Sequence, residues 1–67
     1  MTRVVVNGRA QEVEGAASVA TLLEGLGLHG RYALVERNGE PVERERYDEV
    51  ELEEGDRLVV ARPVAGG

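Results

Sequence analysis

The chain has 67 residues, with thirteen acidic side chains against eight arginines and no lysine, a net charge of −5, no cysteine, and Tyr32 and Tyr47 as its only aromatics. A domain this short buries only about 60 % of the surface its unfolded form exposes. That leaves little room for the deep pocket a small-molecule enzyme needs, and the lack of cysteine removes thiolate metal sites and thiol nucleophiles. Scattered arginines on an acidic background, with two aromatics, argue against a nucleic-acid surface or a base-stacking platform. No charged leader or membrane-length apolar run is visible, so a cytoplasmic protein without membrane association is expected.

Thr2 to Asn7 reads as a strand because Val4, Val5 and Val6 suit a pleated surface. Asn7-Gly8 marks a type I′ hairpin turn, whose two central residues need positive φ, and Arg9 to Val13 forms the return strand. Ser18 is placed as a helix N-cap. Val19, Leu22, Leu23 and Leu26 form one apolar stripe at helical spacing, ending at Gly27 in a left-handed C′ position. Tyr32 to Arg37 predicts a third strand, closed by a second turn at Asn38-Gly39, after which Pro41-Val42 runs on extended. Glu43 to Glu49 predicts a turn or one helical turn with Tyr47 packed inward. Val50 to Leu52 predicts a small strand, Glu54-Gly55-Asp56 a tight turn, and Arg57 to Arg62 the last strand.

Such an order gives an α+β fold, a sheet with one main helix packed on one face. Alternation along the strands sends Val4, Val6, Leu58 and Val60 inward and leaves Val5, Leu34, Val59 and Ala61 on the opposite face, with no second helix to cover them. Those four are either ordinary scattered surface apolars or a protein-docking patch; the single cover favours the patch. Arg57 and Arg62 flank the last strand, as partner-docking groups or as solubilising edge charges. His29 has no suitably spaced partner for metal or acid–base work and reads as a loop residue. The acidic stretch Glu43–Glu54 lacks calcium-loop spacing and reads as a solvated face. No metal site is expected.

The last strand runs into Pro63-Val64-Ala65-Gly66-Gly67. Pro63 cannot donate to a ladder and releases the chain from the sheet. Residues 63–67 are therefore expected to form a flexible tail on a single domain spanning 1–67. Fully extended, those five residues reach about 17 Å. A terminal carboxylate must be activated before it reacts, and glycine, lacking Cβ, passes through a slot where a side chain would clash.

Several features in this order resemble the ThiS sulfur carriers of thiamine biosynthesis, a family of the ubiquitin-like β-grasp fold. They are Asn7-Gly8 after the first strand, Ser18-Val19 before Leu22-Leu23-Glu24, Leu26-Gly27-Leu28, Asn38-Gly39-Glu40, Arg44 with Tyr47, Glu54-Gly55-Asp56-Arg57, and the final Val64-Ala65-Gly66-Gly67. The resemblance implies a mixed β-grasp sheet and a carrier that is a substrate of other enzymes. A ThiF-like adenylyltransferase, using ATP and magnesium, would adenylate Gly67. Sulfur from a cysteine desulfurase system would convert it to a thiocarboxylate, and the thiazole synthase ThiG would take that sulfur. Gly66 and Ala65 would be the channel residues before it, and the chain itself would bind no cofactor. The tail is also similar to that of MoaD, the small subunit of molybdopterin synthase, and to tRNA-thiolation carriers. A ubiquitin-like binding module or modifier without sulfur loading is the alternative of another class.

Overall fold

The computed structural model describes residues 1–28 and 32–62. Strand β1 (Thr2–Val6) turns back at Asn7-Gly8 into β2 (Arg9–Val13), in an antiparallel register that sets Val6 opposite Arg9. The turn has φ of 50° at Asn7 and 84° at Gly8, as type I′ requires. Asn38 and Gly39 repeat it, with φ of 53° and 87°, between β3 (Leu34–Arg37) and β4 (Glu40–Pro41). Strand β5 (Arg57–Ala61) lies between the hairpins, parallel to β1 and antiparallel to β3, giving the sheet order β2-β1-β5-β3-β4.

Helix α1 (Val19–Gly25) crosses one face of this sheet. Its amphipathic stripe buries Val19, Leu22 and Leu23 against Val4, Val6, Val35 and Leu58. Leu26, the C-cap residue, is 36 % exposed and lies at the margin of that stripe. A seven-residue helix is too short to persist alone, so docking must hold it. Its first N–H groups are all engaged. Val19 N–H donates to Val50 O, Ala20 N–H to Tyr47 O, and Thr21 N–H to the Ser18 side-chain oxygen at 3.1 Å. The 43–52 segment thus closes the end of the helix as well as covering the core.

That role corrects one expectation. Val50 to Leu52 makes no strand; Ser18 and Glu51 form an isolated bridge, and Leu52 N–H donates to Ala17 O. Val50 O and Leu52 N–H are spent on Val19 and Ala17 at the approach to the helix and not on a sheet ladder. Arg44–Arg46 is a single 3-10 turn, within the Glu43 to Glu49 stretch expected to hold a turn or one helical turn. The third strand begins at Leu34 and not at Tyr32, because its first ladder partner is Ala61, the last residue of β5. For the same reason β5 ends at Ala61, one residue short of Arg62.

Tyr47 is 4 % exposed and donates its hydroxyl proton to Ala33 O at 2.7 Å, tying the 3-10 turn to the entry of β3. A buried phenol needs such a partner, and a buried carbonyl equally needs a donor.

Candidate functional site

Alternation on β3 and β5 separates a covered face from an open one. Val35, Leu58 and half-buried Val60 face α1, while Leu34, Glu36, Val59 and Ala61 face away. Leu34 is 50 % exposed and sits opposite Ala61; Val59 is 53 % exposed and sits opposite Glu36. Glu36 in turn faces Pro41 across β3 and β4. Leu34, Val59, Ala61 and Pro41 line a shallow, mainly apolar concavity of about 300 Å³ on the outer face. The sheet therefore brings three of the four expected patch residues together. Val5 is half-buried and lies apart from them, beside Arg57 on the β1 side. Arg62 is exposed immediately after β5.

Gly67, Gly66 and Ala65, the residues expected to carry the chemistry, lie outside the described residues, as do His29 and the rest of 63–67. What the structure defines is the base they follow from. β5 carries the outer apolar corner and is the last element before them.

The start of β5 is held by a charged cluster that sequence inspection missed. Asp56, 6 % exposed, accepts from Arg37 Nε at 2.9 Å, Asn38 Nδ2 at 3.1 Å and Glu53 N–H at 2.8 Å. Arg37 also reaches Glu53 at 3.1 Å. Burial pushes the Asp56 carboxyl up, but the Glu53 N–H, the Asn38 amide and the Arg37 guanidinium outweigh it, so the group sits below its ordinary value. Arg37 is raised in turn, chiefly through its hydrogen bond to Asp56 and against the opposing cost of burial. The Glu54-Gly55-Asp56 turn also grips β1: Glu54 accepts from Arg3 N–H at 2.9 Å and Gly55 N–H donates to Arg3 O. Glu53 and Glu54 are thus exposed but engaged, and the acidic stretch is only in part a solvated face. The local signal was the turn itself; its partners lie on other strands.

Among the described residues, no group of three His, Asp or Glu side chains is placed to hold a metal ion. No described helix is long and apolar enough to cross a membrane.

A mixed five-stranded sheet with parallel β1 and β5 at its centre, hairpins on both sides and one helix across a face is a β-grasp domain of the α+β class. The ThiS family pattern matches residues 4–67. The crystal structure of the thiamine biosynthesis protein (ThiS) from Geobacter metallireducens superposes with a TM-score of 0.80 at 35 % identity, over 98 % of this chain and 100 % of that one. The crystal structure of SAMP1 from Haloferax volcanii shares the fold, with a TM-score of 0.59 at 23 % identity over 98 % of each chain. A thiazole synthase from Paramagnetospirillum magneticum is 34 % identical over 65 residues, 97 % of this chain; the chain spans 20 % of that protein's length. This chain belongs to the ThiS family, the β-grasp sulfur-carrier proteins of thiamine biosynthesis.

Proposed function

We propose that this chain carries sulfur for thiazole formation on the carboxylate of Gly67. The observation that supports this most is the ThiS family match running through Gly67 itself, on a domain whose last described strand leads into those glycines. A carboxylate is unreactive towards sulfur nucleophiles until its oxygen becomes a leaving group. A ThiF-like adenylyltransferase would supply that activation: the Gly67 carboxylate attacks the α-phosphate of magnesium-bound ATP, forming the acyl-adenylate and releasing pyrophosphate. A persulfide derived from a cysteine desulfurase system would displace AMP, and reductive cleavage of the resulting acyl disulfide by a thiol would leave the thiocarboxylate. A thiazole synthase of the ThiG type would then accept the sulfur. ATP and magnesium belong to the activating enzyme; the chain is its substrate.

In this reading Gly66 and Ala65 are the residues that enter the partner's channel, where the absence or smallness of a side chain matters. Leu34, Val59 and Ala61, with Arg62 just after them, form the docking surface, and Val5, beside Arg57, lies outside it. An exposed apolar cluster at the base of the reacting segment positions it as docking occurs. The similarity to a thiazole synthase favours the thiazole ring as the sulfur destination over molybdopterin or tRNA.

The test is pyrophosphate release when the purified chain is mixed with a ThiF-like adenylyltransferase, ATP and magnesium. Release should saturate with the chain and vanish when Gly67 is deleted, while the melting temperature of the deletion variant stays at the wild-type value. Wild-type chain that supports no release would contradict the carrier function and leave a binding module.

A further inference from the structure

β5 outruns the strand it pairs with in parallel. The β1–β5 register includes only Val5 with Arg57 and Val6 with Leu58, after which β1 turns away at Asn7-Gly8. The β1-facing edge of β5 continues to Val60, where a longer β1 would have supplied a peptide group. Asn7 supplies one in its place. Its Oδ1 accepts from Val60 N–H at 2.9 Å and its Nδ2 donates to Val60 O at 3.0 Å, while its own backbone N–H donates to Leu58 O at 2.9 Å. A primary amide offers an acceptor and a donor side by side, as a peptide does. Asparagine also tolerates the positive φ that this turn position needs, so one residue makes the turn and caps the strand edge.

The second Asn-Gly turn does the same at the other end and on the other edge. Asn38 Oδ1 accepts from Arg57 N–H at 2.9 Å, and Asn38 N–H donates to Arg57 O at 2.7 Å. β5 is pinned by Asn38 where it starts and by Asn7 where it ends.

We propose that Asn7 is a positioning residue for the chemistry at Gly67: its amide fixes Val60, and with it the neighbouring Val59 and Ala61 of the outer face, so that the terminal segment starts from a defined place relative to the docking surface. The proposal rests on the carrier function above. Seven residues follow Val60. Without the amide, Val60 loses its two hydrogen bonds from the β1 side and the end of β5 keeps only its pairing with β3 and the packing of the Val60 side chain on the core. Docking and delivery of the terminus then lose their fixed relation, and misplacing a reacting group after binding lowers the rate of the chemical step.

Asn7→Gly is the informative substitution, because glycine keeps the turn conformation and removes only the side-chain bonds. Asn38→Gly is its matched control, unpinning the start of β5 and leaving Val60 alone. Amide hydrogen exchange should show the Val60 N–H losing protection in Asn7→Gly and keeping it in Asn38→Gly. With the adenylyltransferase and ATP, Asn7→Gly should lower kcat for pyrophosphate release on the order of tenfold with KM within about twofold. Asn38→Gly should leave kcat at the wild-type value even if its melting temperature falls further. Asn7→Asp, which keeps the acceptor for Val60 N–H but turns a carboxylate oxygen towards Val60 O, should also lower kcat. Equal kcat for Asn7→Gly and wild type, or an equal loss in Asn38→Gly, would overturn the positioning role and leave the carrier function standing. No release by the wild-type chain would overturn both.

Discussion

The two faces of β5 are built from nearly the same residues and have opposite fates. Leu58 is 2 % exposed beneath α1, whereas Val59, its neighbour in sequence, is 53 % exposed on the other side of the sheet. One helix covers one face, and the strand's two-residue period decides which side chain it reaches. The covered face holds the fold together. The open face leaves Leu34 and Val59 half in solvent, and it is the side proposed for docking. Composition alone does not distinguish them; what lies across from each residue does.

Substitutions should separate the two faces by size of effect. Leu58→Ala empties a fully buried position among Val4, Leu23 and Val35, and should cost about 2–5 kcal/mol in urea unfolding. In a domain this small such a loss can abolish folding, so Leu58→Val offers a milder second reading of the same site. Asp56→Ala should cost about 2–3 kcal/mol, because it strips Arg37, Asn38 and the Glu53 N–H of a shared buried acceptor at the start of β5. Tyr47→Phe should cost about 1–2 kcal/mol through the orphaned carbonyl of Ala33. On the open face, Leu34→Glu and Val59→Arg should each change stability by less than about 0.5 kcal/mol. The same two substitutions should raise the KM for the chain as substrate of the adenylyltransferase. A large stability loss from Val59→Arg would break the contrast between the faces.

Asp56 adds a pH signature to the covered side. Its folded carboxyl lies below the ordinary value, so the folded state favours the ionised form. The corresponding stability is fully present above the unfolded pKa of about 3.9 and is lost as pH falls through the folded value. Urea midpoints of wild type and Asp56→Asn should therefore converge as pH drops below about 4. A gap that persists undiminished in acid would assign the effect of Asp56 to shape and not to charge.

Features that depend on adjacent residues were legible in the sequence. Asn7-Gly8 and Asn38-Gly39 announced both hairpin turns, Ser18 the helix start, and Leu22 with Leu23 the buried stripe, because φ preference, capping and periodicity act within a few residues. Leu34, Val59 and Ala61 were legible as one outward face by alternation along their strands. Interactions between distant residues were not legible. Asn7 meets Val60 across 53 residues, Arg3 meets Glu54 across 51, and Arg37 meets Asp56 across 19. The amides of Asn7 and Asn38 were read only as turn formers, although they also complete the edges of β5. Val50 to Leu52 has strand-forming residues but spends its backbone groups on the approach to α1, a competition that residue preference cannot register. Val5 shares a face with Val59 by alternation, yet strand order places it beside Arg57 and apart from the apolar corner.

The central claim is that sulfur resides on the last carboxylate of this chain, and intact-mass spectrometry with fragmentation of protein isolated from its native host tests it most directly. The account predicts a fraction of molecules heavier by one oxygen-for-sulfur exchange, with the added mass confined to the fragment ending in Gly67 and lost on reaction with a thiol-selective alkylating reagent only as the alkylated adduct replaces it. Protein whose mass matches the unmodified sequence throughout, from cells actively making thiazole, would contradict it.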